Sequence, residues 1–262
     1  MKSWKVYLLI LVCALLAGCA KTTRSISHSG YREEGSSSGY APGSDPGLDY
    51  KGELSEFDVL GIARGELTSE AEIRRTLDRA GKIRLHAGSS ILLIQSGALF
   101  PDGPIGTELS KHFQVVPFSG VPPLRKVGPE PHTESIDPES YSKSLRLAAA
   151  RGGNDLIVCY WGILESESEN LPTKTVSWVP VVNWVLPDEK QHMRIRLKVA
   201  LIDVRTGNWA IFSPKPFENA SISVSPRRVA ADQKQVERLK VAAYEASARE
   251  LVRMYSDVAM SQ

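Results

Sequence analysis

Cysteine, histidine and serine are the residues of this chain that would carry nucleophilic or metal-dependent chemistry, and their spacing favours neither. The five histidines show no HExxH pattern and no closely spaced pair typical of metal ligands. A nucleophile elbow needs Gly-x-Ser-x-Gly, whereas residues 94–98 read Ile-Gln-Ser-Gly-Ala. Cys159 lies between apolar neighbours, where a thiol usually behaves as a small, inert apolar group. We therefore predict a protein that is not an enzyme and that uses no metal and no cofactor.

Acylation is a third kind of chemistry, and the start of the chain is typical of a protein that undergoes it. Two early lysines precede the apolar run VYLLILVCALL, which is shorter than the roughly 20 residues of a membrane-spanning helix. The run has the proportions of a signal-peptide core. The next residues, Leu16-Ala17-Gly18-Cys19, resemble the bacterial lipoprotein box, in which the cysteine receives the lipid. We predict a signal peptide at residues 1–18 and lipidation, with acyl chains such as palmitate, at Cys19.

Acylation of Cys19 would determine where in the cell the protein is located. Several acyl chains on one residue anchor stably, since each buried methylene contributes about 0.8 kcal/mol. Ala20 rather than aspartate follows Cys19. By resemblance to the sorting rule of Gram-negative lipoproteins, this favours the periplasmic side of the cell outer membrane. The membrane, reached through the N-terminal lipid anchor, is thus the first predicted partner.

The amino-acid composition limits which other classes of partner are expected. The chain is 42% hydrophobic and 24% charged, which is ordinary for a globular protein. Its 32 basic and 30 acidic residues give a net charge of +2, and loss of the two lysines of the signal peptide brings this to zero. Without a basic excess, no nucleic acid partner is expected.

Residues 19–56 are predicted to be a lipid-anchored flexible tether. Residues 20–50 contain seven serines, five glycines and two prolines, and such a stretch buries too little apolar surface to offset the entropy of ordering. The folded domain is expected to span residues 57–262, with an apolar insertion at residues 164–191.

The domain's hydrophobic patterns predict a mixed α+β sheet with helices packed on it. Ser69 and Glu72 form a capping box that begins a helix over residues 69–80, with Ile73 and Leu77 on its apolar face. Residues 192–204 alternate between charged and apolar side chains, as a half-buried strand does. Further elements are expected as strands at 90–95, 113–118, 155–164 and 209–213, as helices at 105–113 and from 141, and as a long C-terminal helix that Asp232 and Gln235 would cap.

Two segments of this pattern resemble a superfamily of envelope proteins. They are AAARGGNDLIVCYWG (148–162) and DVRTGNWAIFS (203–213), followed by the amphipathic C-terminal helix. The superfamily includes the curli secretion channel lipoprotein and the amino-terminal domain of TolB. The resemblance implies a role in binding and assembly and carries over no catalytic residues. Where the curli channel lipoprotein has membrane-spanning hairpins, this chain has only residues 164–191.

The most unusual stretch of the chain lies inside that insertion. Residues 176–186 (VSWVPVVNWVL) carry eight apolar residues, two of them tryptophans, and tryptophan is favoured as an anchor in protein interfaces. An alternative is a hairpin arm that folds back on the domain's own core, and a third is membrane contact. The residues we predict to bind a partner are Trp178, Val179, Val181, Val182, Trp184 and Val185.

These observations together predict a non-enzymatic, lipid-anchored binding or assembly factor of the cell envelope. Its partner would be an envelope protein or a second copy of itself. One alternative is a component of an oligomeric, secretion-type assembly. Another is a periplasmic hydrolase, which would require Asp102, Ser96 and a histidine within hydrogen-bond reach in one cleft.

Overall fold

The computed structural model describes residues 20–28, 52–62, 69–122, 138–170, 189–223 and 228–256. These residues form seven strands, five α-helices and one 3-10 turn (Ile26–His28). In chain order the elements are β1 (Ala20–Ser25), α1 (Glu56–Leu60), α2 (Glu70–Arg79), β2 (Ser90–Gln95), α3 (Gly103–Leu109), β3 (Gln114–Phe118), α4 (Pro138–Arg151), β4 (Leu156–Asn170), β5 (Glu189–Asp203), β6 (Trp209–Phe212), β7 (Phe217–Ser223) and α5 (Arg228–Tyr255).

All seven strands belong to one mixed sheet, which confirms the predicted α+β class. Its central order is β3-β2-β4-β5-β6, with β1 added beside β4 and β7 beside β5. Strand β2 runs parallel to both β3 and β4, and the other pairs are antiparallel. The parallel pairs arise because α3 and α4 provide the crossover connections that parallel strands need.

The hairpin of β4 and β5 forms the axis of the sheet, because its two 15-residue strands pair along their whole length, from Leu156↔Asp203 to Asn170↔Glu189. Strands β2 and β6 flank residues 156–160 and 199–203, which we call the body half. Strands β1 and β7 flank residues 163–170 and 189–196, which we call the outer half.

Helices cover the two faces of the body half. One face packs against α3 and α5, with Leu93, Val158 and Leu201 in the same apolar cluster as Ile105 and Ala243. The other face packs against α1 and α4 through a second cluster that includes Ile157 and Cys159. Because both faces are covered, residues 156–160 are buried without interruption. In the outer half burial alternates along the strand, as the pattern of residues 192–204 predicted.

The N-terminal segment requires a correction. Residues 20–28, which were predicted to belong to a flexible tether, form β1 and the 3-10 turn and are paired into the sheet. Leu54 is also buried, so the domain begins before residue 57. The sequence signal was weak because β1 (AKTTRS) has no apolar alternation. The rest of the predicted tether, residues 29–51, lies outside the described residues.

Two helix predictions need smaller corrections. Ser69 caps α2 as expected, since its side chain accepts a hydrogen bond from the Glu72 amide at 3.2 Å. The apolar face of α2 does not pack, however, because Ile73 and Leu77 are 42% and 68% exposed. Helix α5 begins at Arg228, so Asp232 lies inside it rather than at its cap.

Candidate functional site

The predicted lipidation residue and the six predicted partner-binding residues lie outside the described residues. These are Cys19, Trp178, Val179, Val181, Val182, Trp184 and Val185. Their chain neighbours are described, however. Ala20 begins β1, while Asn170 ends β4 and Glu189 begins β5, and residues 171–188 join these last two. The positions of these neighbours show where the predicted site attaches to the fold.

Strand β1 brings the described chain neighbours of the two parts of the predicted site to the same end of the sheet. Its antiparallel register with β4 runs from Ala20↔Ser168 to Ser25↔Ile163. Ala20 is therefore two positions along β4 from Asn170, where residues 171–188 begin. Since successive residues of a strand rise by about 3.3 Å, the chain position next to Cys19 lies within roughly 10 Å of the end of the outer half.

An apolar contact holds this N-terminal segment in place. The side chain of Ile26 is 1% exposed and lies in the main apolar cluster with Leu164 and Leu197. It packs over Gly162, where a Cβ atom would come within 2.7 Å of both Ile26 Cγ2 and Leu197 Cδ2. Any larger residue at position 162 would displace the isoleucine or its neighbour. The absence of a side chain at position 162 thus leaves room for one side chain of the segment that follows Cys19.

A buried polar cluster holds the next residue. Ser27 Oγ accepts a hydrogen bond from Gln95 Nε2 at 3.1 Å and donates one to the Ser96 carbonyl at 2.6 Å. Gln95 ends β2, and its Oε1 accepts hydrogen bonds from the Tyr160 hydroxyl at 2.5 Å and the Asp102 amide at 2.7 Å. The cluster therefore lies at the carboxyl end of β2, and the 3-10 turn closes over it.

The carboxylate of Asp102 is the centre of this cluster. Its Oδ2 accepts hydrogen bonds from the Tyr244 hydroxyl at 2.5 Å and from Gln95 Nε2 at 3.3 Å. It also pairs with the ammonium of Lys240 at 3.2 Å, where the exposed fractions are 1% for the lysine and 15% for the aspartate side chain. Burial lowers the pKa of Lys240, while Asp102 opposes that shift. A lysine in this position keeps its charge chiefly because the carboxylate is beside it.

The hydrogen bonds described in this cluster link side chains and backbone groups of separate segments of the protein. The rings of Tyr160 and Tyr244 meet edge to face, with centroids 5.6 Å apart, and burial raises the pKa of Tyr160 well above its usual value. The hydrolase alternative would place Ser96 beside Asp102. The Ser96 hydroxyl accepts a hydrogen bond from the Leu54 amide at 2.8 Å. We interpret the cluster as a latch that fixes the 3-10 turn and residues 52–54 to the sheet.

Sequence reasoning missed most of this latch. Asp102 was considered only for the hydrolase alternative, and neither Lys240 nor Tyr244 was singled out as a polar group. A signal was present, because Lys240 lies in the buried stripe of α5 with Val236, Ala243 and Tyr244. A lysine at a core position is rarely buried without a partner.

The charged residues of the outer half form ion pairs across the strands. Arg194 pairs with Glu165, and Arg196 Nη2 lies 3.1 Å from the other oxygen of the same carboxylate. Arg194 also lies 3.6 Å from Glu218 of β7. Nearer the body half, Lys198 pairs with Glu56 at 2.6 Å. The basic row along β5 is thus compensated by acidic neighbours, and the carboxylate pairing raises the pKa of Arg194.

The remaining candidates concern a metal ion, the thiol and a membrane-spanning helix. There, no group of three or more His, Cys, Asp or Glu residues is arranged to hold a metal ion. Cys159 is the free cysteine of that part, and burial raises the pKa of its thiol well above the ordinary value. Among the helices described, none is both long and apolar enough to cross a membrane.

Comparison with known proteins gives one family. A family model described as YafT bacterial lipoprotein matches residues 55–254, which is well over half of the chain. Among curated proteins, none matches. The match extends from Ser55, the residue before α1, to the last turn of α5.

Proposed function

We propose that this chain, which belongs to the YafT bacterial lipoprotein family, is a non-enzymatic binding or assembly factor of the cell envelope. Membership makes it a membrane-anchored envelope lipoprotein. The finer parts of the proposal are acylation at Cys19, location on the periplasmic side of the outer membrane, and capture of an envelope protein or a second copy. The observation that carries the proposal is the full-length pairing of β4 with β5, up to Asn170↔Glu189.

This hairpin supports a binding role because of what it presents. A two-stranded arm is marginal by itself, but here β1 and β7 support it on either side. The outer half is therefore a supported extension of the hairpin, and α5 covers one of its faces through the apolar cluster that contains Leu164, Met193 and Ile195. The apolar run 176–186 connects its two strands. Tryptophan side chains at the end of such an extension are suited to burial against a partner.

The direct test is the pair of substitutions Trp178→Asp and Trp184→Asp in the acylated, full-length protein. Intact envelopes are crosslinked, and the products of native and variant proteins are compared. Trp209→Asp is the matched control, since Trp209 is 48% exposed and begins β6 beside the body half. We expect at least a tenfold loss of crosslinked product for the double variant and little change for the control. A folded double variant that retains its crosslinks would contradict the proposal.

The resemblance to the curli secretion channel lipoprotein and the TolB amino-terminal domain gives a more specific form of the same proposal. The two segments that carry the resemblance form the end of α4 with β4, and the turn between β5 and β6. In this form the partner is a second copy, and the protein is part of an oligomeric assembly. A large, symmetric particle after detergent extraction would support it, whereas a monomer would leave only the adaptor role.

A further inference from the structure

We propose that the lipid surface itself is a partner of the folded domain, which stands on the membrane with the outer half of the β4–β5 hairpin toward it and with no spacer between Cys19 and β1. This inference relies on the proposed function only for acylation of Cys19. It concerns an interaction surface, namely the end of the sheet where Ala20, Asn170, Glu189 and Ser223 lie. The occupant is the phospholipid headgroup layer.

The first step is the distance between anchor and fold. A single peptide bond joins the predicted acyl-bearing residue to Ala20, and Ala20 is already paired with Ser168. One residue of extended chain spans at most about 3.6 Å. Acyl chains in the bilayer therefore bring the end of the outer half into the headgroup region. A spacer of about 30 flexible residues would instead have allowed a separation of roughly 30 Å.

The second step is the strength with which the segment is held. Six residue pairs join β1 to β4, Ile26 packs closely over Gly162, and Ser27 belongs to the hydrogen-bonded latch. Ser25 also donates a hydrogen bond to Glu53, on the far side of residues 29–51. Residues 29–51 thus connect two segments that both pack on the domain, so they do not lie between the anchor and the sheet.

The third step is the orientation of the domain. A domain lies on its side when a basic face attracts anionic headgroups, but the basic row of β5 is already paired with Glu165, Glu218 and Glu56. The anchor pulls along the direction of β1, which is antiparallel to β4. In the proposed end-on arrangement, the turn between β5 and β6 is directed away from the membrane.

The test uses fluorophores on two introduced cysteines. His192→Cys lies in the outer half, opposite Glu167, and Arg205→Cys lies in the turn after β5; both positions are exposed. Residues 192 and 203 are separated by about 35 Å along β5 at ~3.3 Å per residue. Buried Cys159 does not compete for the label. Each acylated, labelled protein is reconstituted into phosphatidylethanolamine–phosphatidylglycerol vesicles containing a headgroup-nitroxide lipid.

We expect quenching at residue 192 to exceed that at residue 205 by at least threefold. Equal quenching at the two positions would overturn the proposal, because it would mean a side-on or freely tumbling domain. Ile26→Asp should release β1 and reduce quenching at residue 192 several-fold, whereas Ile26→Val should leave it unchanged. Quenching that does not respond to Ile26→Asp in a folded protein would also overturn it.

Different results would contradict the end-on arrangement and the proposed function. Mass spectrometry of the intact protein shows whether Cys19 carries the lipid. A protein without the lipid would not bind the vesicles at all. Loss of crosslinking in the tryptophan variants concerns the protein partner and leaves the quenching asymmetry as it was. An acylated, vesicle-bound protein without asymmetry would contradict the end-on arrangement alone.

Discussion

The two halves of the β4–β5 hairpin use the same pair of strands in different ways. In the body half, helices cover both faces, residues 156–160 are buried in succession, and the polar groups next to them form the Asp102–Lys240 latch. In the outer half, burial alternates and the exposed face carries arginine–glutamate pairs. The comparison indicates that the body half is buried on both faces, that the outer half is buried on one face and exposes the other, and that the N-terminal segment contacts both halves.

The largest expected effect on the free energy of unfolding comes from a substitution that breaks the latch in the body half. Asp102→Ala leaves the buried ammonium of Lys240 without its carboxylate, and removal of one partner of a buried ion pair typically costs about 3–5 kcal/mol. We expect a loss of this size in the free energy of unfolding, measured by urea denaturation. Lys240→Met should cost less, because Asp102 would keep the hydrogen bonds from Tyr244 and Gln95. Equal stability of Asp102→Ala and the native protein would show that the latch does not stabilise the fold.

The next effect concerns the contact between the N-terminal segment and the sheet. Ile26→Ala removes a buried side chain, at the lower end of about 2–5 kcal/mol, and Ile26→Val removes about 0.5–1.5 kcal/mol. Because the segment lies at the edge of the sheet, we expect the loss as faster amide hydrogen exchange in residues 22–28. Exchange in β2 and in the body half of β4 should change little. Faster exchange throughout the sheet would mean that the two halves unfold as one unit.

The pH dependence of the protein's stability distinguishes the buried Lys240 of the latch from charged groups on the surface. The folded-state pKa of Lys240 is lowered from 10.5 by burial, while Asp102 and Glu237 raise it and Arg24 lowers it further. A lysine with a lowered folded-state pKa binds more protons when unfolded, so this group makes stability rise with pH from the lowered pKa up to 10.5. Asp102→Asn removes the largest opposing effect, and the window extends to lower pH.

The expected result is a steeper rise of stability with pH in the Asp102→Asn variant than in the native protein. The slope is limited to about 1.4 kcal/mol per pH unit for one proton. Urea denaturation at a series of pH values between neutrality and 10 measures it, with Lys240→Met,Asp102→Asn as the control that should lose the added slope. Parallel curves for Asp102→Asn and the native protein would contradict the account of the latch.

The smallest effect lies on the exposed face of the outer half. Arg196→Gln breaks the pair with Glu165, but the arginine side chain is 50% exposed and Arg194 remains on the same carboxylate. Exposed ion pairs contribute about 0.2–1 kcal/mol and are screened by salt. We expect a loss in that range at low salt that shrinks at high salt. A loss comparable to that of Asp102→Ala would remove the distinction between the two halves.

Much of the fold was predictable because it depends on local patterns. The alternation of residues 192–204 predicted β5, and Ser69 with Glu72 predicted the start of α2. The parts that were missed depend on contacts distant in sequence. Strand β1 is polar and is held by one isoleucine over Gly162, which no local periodicity reveals. The apolar face of α2 was recognised from its spacing, yet Leu77 is 68% exposed because nothing in the described structure packs on it.

The candidate site was predictable only in part for a related reason. The lipoprotein box and the apolar run are contiguous in sequence, so they could be recognised as segments. That their described neighbours, Ala20 and Asn170, lie at one end of the sheet depends on the β1–β4 register, which joins residues distant in sequence, such as Thr23↔Glu165. The latch was missed because its groups come from five separate segments.

The central claim, that the segment after Cys19 is part of the sheet, is tested most directly by amide hydrogen exchange of residues 22–28 in the acylated, vesicle-bound protein. The account predicts protection of these amides by at least a hundredfold over the unstructured rate, with Ile26 and Ser27 among the slowest of them. Exchange of the whole segment at the unstructured rate, while β4 remains protected, would contradict it.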